Sequence, residues 1–243
     1  MASYKGRGII LRRDNFGEAD RCVTIYTDRL GKIVLLAKGA RRPTAKLTGA
    51  VNLFNEIDFV AAEGRNIDIL TEAQVVVSRD NFGKDLAKIR AAYWVSELVD
   101  KIVQSNEPHP ELYYLIHCVL GAVARRNSDL ILSYFIYQCL DILGYRPELK
   151  HCTACGKALA AGGAMYFSSP AGGVVADCCA DVGGRPIGRD AIKAMRFLGS
   201  SFDAVQKLKI PVNVQRELHT HLKDFAEYIS QKKMKSEELA TLD

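Results

Sequence analysis

The first eighty residues alternate between short apolar runs and turn-forming residues. An apolar segment from Gly8 to Arg12 leads into a turn-like segment, and Arg21–Thr27 then alternates apolar and polar side chains, as a half-buried strand does. Lys32–Ala37 predicts a third, buried strand. Two further strands, Glu56–Val60 and Ile67–Thr71, are predicted to pair across a turn. Ala73–Ser78 extends or follows the second of them. Five short strands predict a small closed barrel, and the OB type is the small barrel that repeatedly binds single-stranded nucleic acid.

From about residue 80 onward, apolar residues recur at helical spacing. Segments 84–104 and 111–126 each place them on one face, and segment 129–143 is more apolar still and ends at Gly144. These segments predict a helical bundle. A last helix is predicted by an apolar stripe: Val214, Leu218, Leu222, Phe225 and Ile229.

Two aromatic residues and two histidines in the helical part are considered as site candidates. Trp94 and Tyr137 lie in apolar periodic segments, which favours core positions over cofactor platforms. His219 and His221 are two residues apart and point to different faces of a helix, so they make a poor metal pair. We expect both histidines at the surface.

A cluster of cysteines separates the helical segments. Cys152 and Cys155 stand in a C-x-x-C-G turn, where two thiolates can converge on one zinc ion. A hairpin predicted at 165–175 ends at the adjacent residues Cys178 and Cys179, which approach a tetrahedral site less easily than a C-x-x-C pair. The stronger candidate ligands are Cys152, Cys155 and Cys179, and the fourth stays open: Cys178, Asp181 or His151. The alternative is a metal-free hairpin that is held by packing alone.

Together these patterns predict an α+β multidomain protein. An N-terminal five-stranded OB-fold β-barrel is followed by an all-α helical domain with a small zinc-finger-like β-hairpin insertion. The predicted boundaries are residues 1–79 for the barrel, 80–148 and 186–243 for the helical domain, and 149–185 for the insertion.

Positive charge is concentrated around the loop that follows the third strand. The formal net charge is +5, and Arg29–Asn55 contains six lysine and arginine residues and no acidic residue. Gly and Pro mark 38–46 as a loop, and a basic loop can follow a phosphate backbone without reading bases. The alternative is an ordinary solvated loop that keeps the protein soluble.

The composition is that of a globular protein with a sizeable core, with 48% hydrophobic and 25% charged residues. No apolar run approaches the roughly 18 residues of a membrane span, and no signal-peptide pattern follows the N-terminal residues. Seven cysteines, an odd number, fit a reducing compartment better than a disulfide framework. We therefore expect a cytoplasmic protein.

Several common catalytic motifs are absent from the sequence. It contains no Walker loop, no G-x-S-x-G, no H-E-x-x-H and no dinucleotide-binding fingerprint. Asp14, Glu18 and Asp20 cluster near the first turn, but turns commonly collect acidic residues. We expect a binding protein rather than an enzyme.

Three stretches spread over most of the chain carry longer motifs. They are G-I-I-L-R-R-D-N-F-G-E-A-D-R at Gly8–Arg21, T-D-R-L-G-K-I-V-L-L-A-K-G-A-R-R-P at Thr27–Pro43, and L-D-I-L-G-Y-R-P-E-L-K-H-C-T-A-C-G at Leu140–Gly156. Their content and order resemble the bacterial recombination mediator family RecO. The resemblance is weaker after Pro186, where only the helical pattern is shared. That family usually has a second C-x-x-C after Gly-Gly, whereas Ala176 stands at its first cysteine here.

The resemblance implies an OB domain, a helical domain and a zinc-finger insertion in a cytoplasmic, nucleoid-associated protein. It implies binding to single- and double-stranded DNA, annealing of complementary strands, and work beside RecR to help RecA onto strands coated by single-strand binding protein (SSB). Several family members lack the cysteines, so function does not require zinc. The residues expected to neutralise phosphates are Lys38, Arg41, Arg42 and Lys46 in the loop, Lys32 before it, and Arg12, Arg13 and Arg21 on the same barrel face.

A further partner implied by the resemblance is the C-terminal tail of SSB. That tail is acidic and apolar, so its receptor needs an apolar pocket with a basic rim. We expect this pocket on the helical domain, near Lys193, Arg196 or Lys207.

Two other classes of function stay open. A zinc-ribbon and OB-barrel regulator of transcription or translation would prefer a defined sequence or RNA over random single strands. A metal-dependent nuclease would cut labelled DNA in the presence of magnesium or manganese.

Overall fold

The computed structural model describes residues 2–79, 82, 85–125, 129–160 and 162–234. The chain divides into two compact units, residues 1–127 with 234–243 and residues 128–233. The predicted three-part division, with boundaries at 79, 148 and 185, differs from this one and stays a prediction. Among the described residues, no helix is both long and apolar enough to span a bilayer.

The first unit begins with five strands that close into a barrel. The strands are β1 (Ser3–Phe16), β2 (Asp20–Thr27), β3 (Gly31–Ala37), β4 (Glu56–Ala62) and β5 (Asp68–Val77). The neighbour order is β1-β2-β3-β5-β4, with β4 returning to β1, and β3 and β5 are parallel. This arrangement is the OB fold, so the predicted five-stranded barrel is confirmed.

Alternating side chains fill the barrel interior, as the period of a strand requires. Inward-facing residues from the strands form one buried cluster, which includes Val23 and Ile25, Ile33 and Leu35, and Ile57 and Phe59. The segments predicted at Ile67–Thr71 and Ala73–Ser78 form the single strand β5, which has a register shift opposite Val60 and Ala61. A short helix, α1 (Leu47–Ala50), follows the basic loop.

Two longer helices complete the described part of the first unit. The side chain of Asp85 caps α2 (Leu86–Ile102) by accepting from the backbone N–H groups of two following residues. Pro110 begins α3 (Pro110–Arg125), since its fixed φ suits the first helical position. Trp94 of α2 is buried, so its predicted core position is confirmed.

The second unit combines helices with a small sheet. Its first helix, α4 (Asp129–Ile142), is followed by Gly144, which has a φ of +83°. The Tyr145 N–H donates to the Leu140 carbonyl, as a left-handed helix end provides. Tyr137 of α4 is buried, as predicted. The other elements are β6 (Met165–Ser168), β7 (Gly173–Ala176), β8 (Arg185–Pro186), α5 (Arg189–Phe197), α6 (Phe202–Lys207) and α7 (Val212–Ser230). The sheet has the order β7-β6-β8.

The surface position predicted for His221 is wrong. His221 is buried on α7, and its ring centroid lies 5.5 Å from that of Phe167 on β6. The small sheet packs on α7 and widens its buried face beyond the apolar stripe, which sequence periodicity alone does not reveal. His219 is half-buried, and its Nδ1 lies 3.1 Å from Ser133 Oγ.

Cys139 lies in the interior of α4, where burial raises the pKa of its thiol to about 12. We therefore expect Cys139 to resist iodoacetamide at pH 8 until the protein is unfolded, whereas the partly exposed Cys118 of α3 reacts in the folded state. Mass spectrometry of peptides alkylated with and without denaturant measures both. Rapid labelling of Cys139 in the folded protein would contradict this placement.

Candidate nucleic-acid interface and cysteine cluster

The loop between β3 and α1 is exposed and cationic. Residues 38–46 form turns and bends, and the four basic residues predicted there are all exposed. Within the described part of the chain, none of them forms an ion pair with a carboxylate. Their charges are therefore available to an external anion. The four residues are Lys38, Arg41, Arg42 and Lys46.

This loop is held against the β1–β2 turn (Gly17–Ala19). The Arg41 N–H donates to the Ala19 carbonyl at 2.9 Å, and Arg41 Nη1 donates to the Gly17 carbonyl at 2.8 Å. The Gly39 N–H donates to Asp20 Oδ1 at 2.7 Å. Gly17 has a φ of +56°, a conformation that glycine adopts without steric cost. The backbone that carries Arg41 is thereby fixed relative to the barrel.

Arg13, Arg21 and Arg41 form an arginine cluster beside this turn. Burial lowers the pKa of Arg21, and the neighbouring charges of Arg13 and Arg41 lower it further. The Arg21 Nε is buried and has no hydrogen-bond partner among the described residues. Arg13 Nη1 donates to Asn52 Oδ1 at 2.9 Å, a neutral amide that leaves its charge uncompensated. Three positive charges held close together repel one another, and a bound anion would reduce this repulsion.

The structure does not bring Arg12 or Lys32 to the arginine cluster. Arg12 pairs with Asp14 at 2.9 Å and with Asp100 at 2.7 Å. Lys32 is buried, and its Nζ lies 3.5 Å from Asp100 Oδ1. Adjacent strand residues face opposite ways, so Arg12 and Arg13 do not share a face. Arg12 and Lys32 instead join the barrel to α2, and we leave them out of the proposed interface.

Replacing Arg21 with Met is expected to weaken nucleic-acid binding without lowering the thermal unfolding midpoint. The substitution removes a half-buried guanidinium, whose Nε is buried without a hydrogen-bond partner, and its repulsion from Arg13 and Arg41. Circular dichroism and a fluorescence binding titration measure the two effects. Arg29→Met, at an exposed arginine on the β2–β3 turn, is the control and should change neither quantity. A clear fall of the midpoint in Arg21→Met would show that Arg21 is structural.

The second unit contains the predicted cysteine turn. The Gly156 N–H donates to the Cys152 carbonyl at 2.8 Å, and Gly156 has a φ of +73°, which folds the chain back after Cys155. The Thr153 N–H donates to the Val174 carbonyl at 3.0 Å and so joins the turn to β7. The predicted hairpin is present as β6 and β7.

Three of the four predicted ligands come together beyond this hairpin. The sulfur atoms of Cys152, Cys155 and Cys179 lie within 4.8 Å of one another. Cys178 is exposed, and its sulfur lies 3.7 Å from that of Cys179, but it is outside this group. The N–H of Ala176 donates to the Cys152 sulfur at 3.4 Å. The two proposed stand-ins are also outside the group within the described residues: His151 and Asp181.

The environment of the thiols fits the ligand set of a zinc ion. Burial would raise the pKa of Cys152, but hydrogen bonds from backbone N–H groups, including that of Ala176, lower it to about 7. The thiolate that a metal requires is therefore accessible near neutral pH. Hydrogen bonding to Cys178 and Cys155 raises the pKa of the Cys179 thiol to about 12. Three thiols therefore converge as ligands of a metal ion would, and the Cys178 sulfur lies next to this group, 3.7 Å from that of Cys179.

The three residues predicted near an SSB-tail pocket have different surroundings. Lys193 is exposed and pairs with Asp190 at 3.2 Å. Arg196 Nε donates to the Leu149 carbonyl at 2.9 Å, so its side chain joins α5 to the start of the cysteine segment. Lys207 is exposed at the end of α6.

A hollow that the sequence did not predict lies beside the small sheet. It has a volume of about 330 Å³. Phe167, Pro170 and Val182 supply apolar lining. Arg185 and His221 supply polar atoms, and Arg185 pairs with Asp224 of the same lining at 3.1 Å. The residues converge from β6, the following turns, β8 and α7, so no contiguous motif marks the hollow in the sequence.

Comparison with known proteins covers nearly the whole chain. The family model described as "Recombination protein O N terminal" matches residues 1–79, and the one described as "Recombination protein O C terminal" matches residues 83–238. The first match ends where the barrel domain was predicted to end.

Relatives with the printed name DNA repair protein RecO align over most of their length. The protein from Roseiflexus sp. (strain RS-1) is 34% identical, over 99% of this chain and 85% of the relative. The protein from Thermoanaerobacter sp. (strain X514) is 30% identical, over 90% of this chain and 89% of the relative. The barrel, the helices and the matches to both parts of the family agree. The chain belongs to the RecO family of DNA repair proteins.

Proposed function

We propose that this chain is a non-enzymatic recombination mediator that binds single- and double-stranded DNA in the cytoplasm. It anneals complementary strands and, together with RecR, helps to load RecA onto single strands coated by SSB. The observation that carries the proposal is the arginine cluster, whose charges have no carboxylate partner among the described residues. The exposed basic loop beside it extends the cationic surface.

Annealing is a task that such a surface can perform without making or breaking a covalent bond. Two complementary strands repel each other through their phosphates, and cations fixed on a protein reduce that repulsion. Phosphate contacts position a strand and carry no sequence information directly, so bases stay free to pair. The hydrogen bonds to the β1–β2 turn hold Arg41 in place and thereby limit the entropy that it loses on binding.

The proposal is tested by annealing of complementary oligonucleotides that are precoated with SSB. The wild-type chain should accelerate annealing, and the double variant Arg41→Ala/Arg42→Ala should do so much less. The control Arg29→Ala/Arg65→Ala removes two exposed arginines from other barrel turns and should retain the activity. No acceleration by the wild type would contradict the proposal. Strands shortened in magnesium or manganese would show a nuclease, and preference for a defined sequence or RNA would show a regulator.

We also propose that Cys152, Cys155 and Cys179 hold a zinc ion, with Cys178 as the fourth ligand after a small movement of its exposed side chain. Zinc would act here as a structural cross-link between the cysteine turn and the segment after β7.

We expect about one zinc ion per chain in protein that is purified without chelator, and a lower thermal unfolding midpoint after its removal. Metal analysis by mass spectrometry gives the stoichiometry. Cys155→Ser should lose the metal, whereas Cys22→Ser, at a cysteine of the barrel, should keep it. A metal-free wild-type protein whose midpoint does not change with added zinc or chelator would favour a hairpin held by packing alone.

We place the receptor for the SSB tail in the second unit, at the hollow beside Phe167. Its apolar lining suits the apolar end of the tail, and the acidic part of the tail would compete with Asp224 for Arg185 at the rim. A labelled tail peptide should bind the wild-type chain, and Val182→Glu should weaken that binding. Unchanged binding by Val182→Glu together with weakened binding by Lys193→Glu would move the receptor to the face first predicted.

A further inference from the structure

Asn52, between α1 and β4, accepts a hydrogen bond from one member of the arginine cluster. Its Oδ1 lies 2.9 Å from Arg13 Nη1. The other two arginines of β1, Arg7 and Arg12, instead pair with aspartates at 2.7 Å and 2.9 Å. An amide oxygen fixes the direction of a guanidinium, but unlike a carboxylate it carries no charge to compensate it. Arg13 is therefore held in place with its charge intact.

The strand register places Arg13 on the same face as Arg21. On β1, Arg13 is opposite Val23 and Asn15 is opposite Arg21. Residues two apart on a strand share a face, and so do residues that lie opposite each other. Val23 belongs to the barrel core, so Arg13 and Arg21 both lie on the inward face, near the end of the β1–β2 pair. Their mutual repulsion, which lowers the pKa of Arg21, agrees with this placement.

The backbone around Asn52 is fastened to the strand that carries Arg13. The Phe54 N–H donates to the Ile10 carbonyl, and the Ile10 N–H donates to the Asn55 carbonyl, both at 2.9 Å. Ile10 lies three residues before Arg13 on β1. Both partners of the hydrogen bond between Arg13 and Asn52 are thus fixed relative to one strand.

Phe54 has a backbone conformation that a bulky side chain rarely adopts. Its φ is +68°, in the left-handed region. Its ring packs edge-on against those of Phe82 and Tyr93, with centroids 5.4 Å and 5.2 Å away. Backbone strain of this kind persists where the surrounding structure enforces it, and it recurs at sites that hold ligands. This packing therefore keeps the turn, and Asn52 with it, in one conformation.

We propose that Asn52 is a positioning residue of the nucleic-acid interface, which directs the Arg13 guanidinium into the arginine cluster and leaves its charge free to bind a phosphate. This inference rests on the proposed function, because the effect of Asn52 is measured through nucleic-acid binding. The alternative is that Asn52 only completes a turn. Its backbone carbonyl already does so by accepting from the Asn55 N–H at 3.3 Å, which requires no side-chain amide.

The test replaces Asn52 with Asp in the full chain. Asp keeps the shape of the side chain and accepts the same hydrogen bond, but it compensates one cation of the cluster. Single-strand affinity should fall about 5-fold at 0.1 M salt, and the slope of log K against log salt should fall by about 0.7, the value of one phosphate contact. The thermal unfolding midpoint should not fall, because the new ion pair reduces the repulsion within the cluster. Fluorescence titrations at several salt concentrations and circular dichroism measure these quantities.

Asn52→Ala separates the direction of Arg13 from its charge. This variant frees the guanidinium without adding a carboxylate, so the salt slope should stay at the wild-type value. Affinity should fall about 2- to 10-fold, because the freed side chain must then be ordered when a strand binds.

Asn106→Asp is the matched control, since it adds the same negative charge at an exposed asparagine. The Asn106 N–H donates to the carbonyl of Lys32 near the start of β3, whereas Arg21 is opposite Ala37 at the end of that strand. Five residues of strand span about 17 Å, which exceeds the screening length of about 10 Å at 0.1 M salt. The control should therefore change affinity less than about 2-fold.

The outcomes distinguish this inference from the proposed function. If the wild-type chain binds neither single strands nor duplex, the proposed function fails and the inference fails with it. If the wild-type chain binds and Asn52→Asp keeps the wild-type slope and affinity, only the positioning role is overturned. An equal loss in Asn106→Asp would also overturn it, because net charge alone would then explain the effect. A lower unfolding midpoint with an unchanged slope in Asn52→Asp would show that the amide serves the fold instead.

Discussion

Replacing Glu56 with Gln is expected to lower the free energy of unfolding by about 3 kcal/mol. Glu56 is buried at the start of β4, where it accepts from the Tyr113 hydroxyl at 2.8 Å and lies 2.6 Å from His117 Nδ1. Both partners belong to α3, so this one carboxylate joins the barrel to the helix. Gln keeps the size of the side chain but removes the negative charge with which Glu56 binds Tyr113 and His117.

A buried cation nearby increases the expected loss. Arg79 is buried, and this burial lowers its pKa, whereas the charge of Glu56 raises it. Arg79 Nη2 donates to the His117 carbonyl at 3.1 Å, and its Nε has no partner among the described residues. Without the charge of Glu56, the guanidinium stays buried with little compensation, which is the costly case for a buried charge.

Urea unfolding followed by circular dichroism at neutral pH measures the effect. The matched control is Glu72→Gln on β5, where the carboxylate is exposed and the same charge is removed. Its expected change is below about 0.5 kcal/mol. If the two variants lost similar stability, Glu56 would not be the joint between β4 and α3 described above.

The double substitution Arg41→Ala/Arg42→Ala is expected to weaken single-strand binding about 25-fold at 0.1 M salt. Each phosphate contact contributes about 0.7 to the slope of log K against log salt for a single strand, so the slope should fall by about 1.4. Both side chains are exposed and lack carboxylate partners among the described residues, so nothing in the protein replaces their charge. Arg41 also anchors the loop to the β1–β2 turn through its side chain.

The control removes the same charge from elsewhere on the barrel. Arg29→Ala/Arg65→Ala changes two exposed arginines that lie on the β2–β3 and β4–β5 turns. Polyelectrolyte binding that depended only on net charge would weaken equally in both double variants. An equal loss, or an unchanged slope in Arg41→Ala/Arg42→Ala, would contradict a local interface at the loop.

The barrel could be predicted from the sequence because its strands follow a strict local rule. Alternating positions such as Val23, Ile25 and Leu35 point into one core, and each strand is short and bounded by turn residues. The basic loop could be predicted for a similar reason, since Gly and Pro interrupt the apolar pattern there. Both the barrel strands and the basic loop are determined by residues that are close together in the sequence.

Contacts between distant segments could not be predicted in this way. Lys32 and Arg12 carry the charge expected of the interface, but Asp14 and Asp100 together compensate their two charges. His221 is buried because β6 packs on α7, a contact that the helical stripe does not contain. The three-dimensional structure alone shows that Arg12 and Lys32 are paired with carboxylates, whereas the charge of Arg21 is not.

The cysteine segment illustrates both cases. The C-x-x-C-G turn fixes Cys152 and Cys155 by local geometry, so the sequence was sufficient for that half of the cluster. The choice between Cys178 and Cys179 depends on how the chain turns after β7, where Cys179 has a φ of −130° and breaks the 3₁₀ turn. That backbone places the sulfur of Cys179, and not that of Cys178, in the group of three.

Protection of arginines from phenylglyoxal, with and without a saturating single-stranded oligonucleotide, tests the cationic interface most directly. Mass spectrometry reports the modification rate of each arginine in the intact protein. Binding at the arginine cluster predicts slower modification of Arg13, Arg41 and Arg42, while the exposed Arg29 and Arg65 react at unchanged rates. Protection of Arg29 and Arg65 with unchanged reactivity of Arg41 and Arg42 would contradict it.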